Sequence, residues 1–314
     1  MTMSILFMEP VFKQMIWGGN RMRDEYGYDI PGENTGECWA ISAHSQGDCV
    51  IASGKYKGMK LSELWDTHRE LFGNAKGDRF PLLTKIIDAQ SDLSIQVHPD
   101  DSYAGKYENG SLGKMECWYI LDCDDNATII IGHHAKTQEE LYDMVEGARW
   151  KDLIREVPVR KGDFFQINPG CVHAIKGGTL ILETQQNSDI TYRLYDYDRL
   201  QDGKKRPLHI EQSLDVITVP FKEVESGGVQ SSNGWWEPLI TCEYYSVWKG
   251  ELDGYASLIQ DEKFLLGSVI EGEATLDGCT VKKGDHFILS ADTGSVQVEG
   301  KAKFIFSAMV EADV

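Results

Sequence analysis

Apolar and polar positions along the chain alternate mostly with the period of β-strands. Runs rich in Val, Ile and aromatic residues fall at 49–53, 81–89, 93–98, 115–121, 127–132, 163–168, 179–183 and 190–195. Others follow at 244–249, 264–271, 274–276, 286–290, 295–298 and 303–308, and Gly, Asp, Asn or Pro turns separate them. A repeat near ten residues with turn signals between is the pattern of sandwiches and jelly rolls. Helical periodicity is local. Leu61, Leu64, Trp65, Leu71 and Phe72 share one helical face that Gly73 ends. Thr137 to Glu140 reads as a capping box opening a helix with Leu141, Met144 and Val145 on one side. Trp150, Leu153, Ile154 and Val157 suggest a second short helix stopped by Pro158. The class is mainly β, with a few covering helices.

The small, polar stretch 225–234 is the best linker, dividing residues 1–225 from residues 226–314. An internal repeat supports the division. Val159-Arg-Lys-Gly-Asp-Phe-Phe-Gln-Ile-Asn resembles Val281-Lys-Lys-Gly-Asp-His-Phe-Ile-Leu-Ser, each a basic turn, a Gly-Asp corner and an alternating strand. The first copy continues to His173. At the matching place the second has Ser295, so the back part is expected to lack that chemistry and to pack on the open side of the front part.

Length and charge narrow the functional classes. A chain of 314 residues is more than one small core needs. Fifty acidic against 31 basic residues, net −19, make nucleic-acid backbones and anionic membranes unfavourable partners. No apolar run approaches a membrane span, and the N-terminus lacks a signal-peptide pattern. Seven cysteines without a C-x-x-C pair fit reduced thiols, hence a cytoplasmic location. Oligomeric state is expected to be monomer or weak homo-oligomer.

Against that acidic background a few residues invite chemistry. Gln96 and His98 are two apart in a strand and point to one face, and Pro99 ends the strand there. In Lys114–Leu121, Lys114, Glu116, Trp118 and Ile120 share one face and bulky apolar groups occupy the other. A buried Glu116 needs a cation, either a metal or Lys114. His173 follows a Pro-Gly turn at a strand entry. Two imidazoles, a carboxylate and an amide fit zinc or another divalent ion at a site with open positions. Lys85 lies inside an apolar strand and must find an anion, either a ligand phosphate or a neighbouring carboxylate. Glu183 closes another strand, and Asp189, Thr191 and Arg193 share a face if the next strand begins early. Lys85, Lys114 and Arg193 form a positive island. His133 and His134, adjacent and opposite-facing, read as structural.

Taken in order, LSIQVHP (from Leu93), KMECWYIL (from Lys114), PGCVH (from Pro169) and NSDITYR (from Asn187) resemble type I phosphomannose isomerases. Trp17-Gly-Gly, Gly36-Glu-Cys-Trp, FPLLTKIIDA (from Phe80) and Arg206-Pro-Leu-His agree. The resemblance is strong over about residues 5–220 and weak beyond. It implies a cupin (jelly-roll) barrel with a smaller, degenerate cupin-like β domain. It also implies one zinc ion held by Gln96, His98, Glu116 and His173, and interconversion of mannose 6-phosphate and fructose 6-phosphate through an enediol or enediolate. Arg193 and Lys114 fall on catalytic positions, Glu183 and Asp189 on further pocket positions, and Lys85 and Trp17 on substrate-binding ones. The longer members' helical insertion between the glutamate and the second histidine is missing, which bears on the pocket wall. Charge developing on two sugar oxygens suits a metal with a nearby Arg or Lys. The proton carrier stays open among Glu183, Asp189 and Lys114. Competing expectations are an iron-dependent cupin oxygenase and a non-catalytic sugar-binding cupin.

Overall fold

The computed structural model describes residues 5–224 and 235–311, so the linker expected at 225–234 lies outside the described residues. Two sheets form the front of the molecule. The first runs in the order Phe164–Ile167, Glu116–Cys123, Thr179–Gln186, Leu82–Ala89, Val11–Gly19 and Thr35–Ile41. The second runs Ile154–Pro158, Thr128–His133, His173–Ala174, Ile95–Val97 and Tyr192–Tyr195. Their facing sides bury Trp17, Ile87, Trp118, Ile120, Ile131, Ile167 and Ile181 in one interior.

Three central strands of the six-stranded sheet, Leu82–Ala89, Glu116–Cys123 and Thr179–Gln186, are buried on both faces over most of their length, which is why they read as near-continuous apolar runs. In Leu82–Ala89, Ile87 and Ala89 point into the front interior while Leu82 and Ile86 point outward. The outward face carries Cys38, Cys117, Tyr119 and Leu182 and packs against Tyr245, Phe264, Ile288 and Ile305 of the back part. The back part thus covers the outer face of this sheet rather than an open side.

The back sheet is ordered Trp236–Thr241, Tyr245–Ile259, Ser295–Met309, Leu265–Leu276, His286–Leu289, Ile5–Glu9 and Val50–Ile51. The first strand of the chain therefore lies across the expected division, with Ile5 opposite Leu289 and Phe7 opposite Phe287. Runs expected as separate short strands fuse here: 264–271 with 274–276, and 295–298 with 303–308. The glycines that suggested breaks serve close approach instead. Gly272 faces Ala302 across the pair and a Cβ on it would run into the Lys301 carbonyl oxygen, while a Cβ on Gly300 would sit 2.6 Å from the Glu273 carbonyl oxygen.

The two copies of the repeat build the same corner. Asp163 Oδ2 accepts from Arg160 N at 2.8 Å, and Asp285 Oδ2 accepts from Lys282 N at 2.8 Å. Gly162 and Gly284 take φ of 92° and 94°, a region that favours glycine. Register then places Glu116 beside Ile167 in the first copy and Leu265 beside Leu289 in the second.

Helices cover the outside. Leu61–Thr67 continues into a 3-10 turn, Arg69–Phe72, ending at Gly73 with φ of 60°. Gln138–Glu146 starts at Thr137, whose side chain accepts from Glu140 N. The helix expected through Val157 stops early. Only Trp150–Leu153 is helical, and Ile154–Pro158 is a strand pairing with Thr128–His133. β-Branched Ile154 and Val157 beside an open sheet edge outweigh a weak helical stripe. Among the described residues no helix is long and apolar enough to cross a membrane, and all seven cysteines are free.

Candidate metal centre and active-site cavity

Two antiparallel neighbours and one strand of the facing sheet bring the expected donors together. Gln96 lies in Ile95–Val97 and His98 one residue beyond it, while His173 pairs directly with Gln96. Glu116 opens its strand on the facing sheet. His98 Nε2 and His173 Nε2 are 3.1 Å apart. Glu116 Oε2 is 3.5 Å from the first imidazole nitrogen and Oε1 is 3.4 Å from the second. All three residues are buried. Gln96 Nε2 lies 3.3 Å from His173 Nε2, and a half-turn of the amide offers its oxygen instead.

Hydrogen bonding on the far side of each ring fixes what the near side can do. His98 Nδ1 faces the Ile190 carbonyl at 2.8 Å, and His173 Nδ1 faces the Cys171 carbonyl at 2.9 Å. Each Nδ1 therefore carries the proton and donates, leaving Nε2 as a lone-pair acceptor. Two acceptors pointed at each other beside a carboxylate are a donor set for a divalent cation. Burial, then the Lys114 charge, pushes the His98 pKa down to about 3, and burial lowers that of His173. Both imidazoles are thus neutral, as metal ligation requires. The residues present fit such an ion.

Next to the donors lies a row of charged and aromatic side chains, one per strand: Trp39, Lys85, Glu183, Trp118 and Phe165 are consecutive cross-strand neighbours. Trp118 Nε1 donates to both Glu116 Oε1 (3.1 Å) and Glu183 Oε2 (3.0 Å). Glu183 Oε1 is buried with no protein hydrogen-bond partner, 3.5 Å from Lys85 Nζ and 3.8 Å from Lys114 Nζ. Burial and repulsion from Glu116 raise the Glu183 pKa despite those ammonium groups. Lys114 donates to Glu116 and sits 3.1 Å from His98 Nε2. Burial would raise Glu116, but the Lys114 ammonium outweighs it and holds the carboxyl well below its ordinary range.

These groups open onto a cavity of about 670 Å³. Its wall includes Trp17, Lys85, Gln96, Lys114, Glu183, Asp189, Thr191 and Arg193. A second cavity of about 660 Å³, around Phe165, Cys171 and Phe221, contains none of the expected site residues. Size does not choose between them; chemistry does.

Individual placements refine the sequence reading. Lys85 meets neighbouring carboxylates, Glu183 and, at 3.9 Å, Glu37. Trp17 presents a buried apolar ring. The Tyr192–Tyr195 strand starts too late to include Asp189, which instead meets His44 Nε2 at 3.5 Å. Arg193 donates from Nη1 to the Pro207 carbonyl, while its buried Nε has no partner. Glu37, Trp39, Ser94 and Arg206 line the same wall; sequence reasoning included them in motifs but assigned them no role. The signal for Glu37 was an acidic residue inside a strand buried throughout. Arg206 stood only inside the Arg206-Pro-Leu-His motif, with no role read for it, and a loop brings it to the wall.

Two facing sheets around an inward cluster of two imidazoles and a carboxylate define a cupin-class protein with a candidate metal centre. Comparisons with known proteins narrow the class. A family model for the phosphomannose isomerase type I catalytic domain matches residues 5–121, and one for the mannose-6-phosphate isomerase cupin domain matches residues 237–309. The chain is 54% identical to mannose-6-phosphate isomerase ManA of Bacillus subtilis, over 98% of this chain and 99% of that one. It is 47% identical to mannose-6-phosphate isomerase of Streptococcus mutans, over 96% and 97%. A crystal structure of the mannose 6-phosphate isomerase from Bacillus subtilis superposes with a TM-score of 0.95 at 48% identity, covering 97% of this chain and 99% of that one. The chain belongs to the type I phosphomannose isomerase family.

Proposed function

We propose that this chain is a zinc-dependent aldose–ketose isomerase, an intramolecular oxidoreductase that interconverts mannose 6-phosphate and fructose 6-phosphate. One observation carries the reading: His98, Glu116 and His173 offer ligand atoms all within 4.8 Å of one another, beside a cavity that also holds Lys114, Glu183 and Arg193. Gln96, His98, Glu116 and His173 would hold the ion. When bound, it supplies positive charge for the two sugar oxygens on which charge develops.

The remaining roles belong to the chain. Glu183 carries the proton between C1 and C2 at Oε1, the oxygen left without a partner and turned toward the two ammonium groups. Lys114, beside Glu116, adds positive charge at the reacting end. Lys85 keeps Glu183 ionisable. Asp189, half-exposed and against His44, is a weaker candidate for proton transfer. Arg193, with its free Nε, meets the phosphate, and Trp17 supplies an apolar wall for the sugar.

We read residues 1–225 as the catalytic part and 226–314 as a cupin-like part without ligands. Leu265 in place of Glu116 and Ser295 in place of His173 support that division. Seven free cysteines agree with a reducing, cytoplasmic setting.

The test is chelation followed by a coupled assay for fructose 6-phosphate formed from mannose 6-phosphate, then re-addition of single metals. Loss on chelation with recovery by zinc is expected. Full turnover by protein verified metal-free refutes the metal role, and tight sugar-phosphate binding without turnover replaces the isomerase with a binding protein.

A further inference from the structure

Resting on that reading, we propose that Glu37 reads a hydroxyl of the open-chain sugar, so that it is a specificity-determining residue as well as part of the wall. Glu37 is buried in the Thr35–Ile41 strand and lines the same cavity as Gln96, Lys114 and Glu183. Its carboxylate is held from one side only. Trp39 Nε1 donates to Oε2 at 2.6 Å, and the Lys85 ammonium approaches that same oxygen at 3.9 Å. Among the described residues no hydrogen bond reaches Oε1.

A buried carboxylate with one oxygen clamped and the other free on a cavity wall is an acceptor waiting for a donor. A sugar hydroxyl is the donor a polyol brings.

Glu37 is not needed as the sole counter-ion of Lys85. Glu183 stands closer to that ammonium, at 3.5 Å, and neither contact is within hydrogen-bond reach. Glu37 also stands apart from the metal donors. Its cross-strand neighbours are Lys13 and Ile87, in the register row two residues beyond the row of Lys85 and Glu183. Glu37 therefore addresses a part of the sugar away from the reacting carbons.

The experiment compares wild type, Glu37→Gln and Trp39→Phe in the metal-loaded protein. Probes are acyclic hexitol phosphates, one complete and three lacking a single hydroxyl at position 3, 4 or 5, read as inhibition constants. In wild type, one of the three deletions should weaken binding about tenfold or more, the size of a charged hydrogen bond. In Glu37→Gln that same penalty should fall to about threefold or less, with the other two unchanged. Trp39→Phe, which frees the carboxylate from its clamp, should reduce the same penalty partly, a coupling that a merely structural role would not single out. Equal penalties in all three proteins overturn the inference. So does a uniform loss across the series in Glu37→Gln, which would mark Glu37 as a bulk electrostatic partner of Lys85. Wild-type protein that binds the complete hexitol phosphate yet never turns over mannose 6-phosphate refutes the isomerase reading while leaving the hydroxyl assignment measurable.

Discussion

Replacing Glu183 by Gln separates the proton carrier from its surroundings. The substitution keeps shape, and the amide oxygen still accepts from Trp118 Nε1, which lies 3.0 Å from Oε2. Charge and titratable proton are what disappear. Lys85 at 3.5 Å and Lys114 at 3.8 Å each attract the native carboxylate by about 4.5 kcal/mol at an effective dielectric of 20. Burial and the nearby Glu116 oppose this strongly enough to leave Glu183 harder to ionise than a free glutamate. The fold therefore draws little from the charge. Stripping one partner from an isolated buried pair costs about 3–5 kcal/mol. The cost here should be smaller, because Lys85 retains Glu37 and Lys114 retains Glu116. Turnover should fall by about 10²–10⁴, the usual worth of a positioned general base. That corresponds to about 3–5 kcal/mol of barrier. The assay is solvent deuterium incorporation at C2 of mannose 6-phosphate by NMR, with metal content and thermal midpoint measured on the same samples. Wild-type turnover should also rise with pH through a pKa above that of ordinary glutamate, and this limb should vanish in Glu183→Gln. A variant that keeps its metal and exchanges C2 hydrogen within tenfold of wild type would refute the assignment.

Three further outcomes follow from the geometry. Saturating the metal site at about 100 times Kd should add about 2.7 kcal/mol of stability and raise the thermal midpoint by roughly 5 °C; a midpoint indifferent to chelation contradicts a bound ion at His98, Glu116 and His173. Arg193→Ala should raise KM for the phosphorylated sugar at least about tenfold while leaving the slow reaction of unphosphorylated mannose unchanged, and equal losses on both would move the phosphate elsewhere. His286, buried between Ser268 Oγ at 2.8 Å and Tyr28 OH at 2.9 Å, has its pKa lowered by burial from 6.5 to about 3. Because the unfolded chain takes that proton first, the contribution is whole above about pH 6.5 and declines by about 1.4 kcal/mol per unit as pH falls toward 3. The gap in thermal midpoint between wild type and His286→Gln should accordingly narrow on going from about pH 7 to about pH 5, whereas parallel curves would contradict it.

The donor set was legible in the sequence because local geometry expresses it. Gln96 and His98 are two apart, and Lys114, Glu116 and Trp118 alternate, so each group shares a face by strand period alone. What brings Trp39, Lys85, Glu183 and Trp118 into one row is register between strands far apart in sequence, which periodicity does not encode. Lys85 illustrates the difference: its burial among apolar residues was readable, but its partners came from two other strands. The Gly-Asp corners were recognisable because the same backbone need recurs twice. Their consequence, Leu265 standing where Glu116 stands in the first copy, required hydrogen-bond register. The failure at Ile154–Pro158 shows tertiary context deciding a short ambiguous run, since the edge of Thr128–His133 offered partners a lone helix turn did not.

The pairing of Ile5–Glu9 with His286–Leu289 sets an order of events during synthesis. At about 5–20 residues per second, roughly 15 to 60 s separate the emergence of Ile5 from that of Leu289. Throughout that interval the leading segment, including Leu6 and Met8 of the central core, has no native strand neighbour on that side. Closure at the ribosome therefore comes late, and a nascent chain halted before its last strands would expose an apolar edge that chaperones must shield.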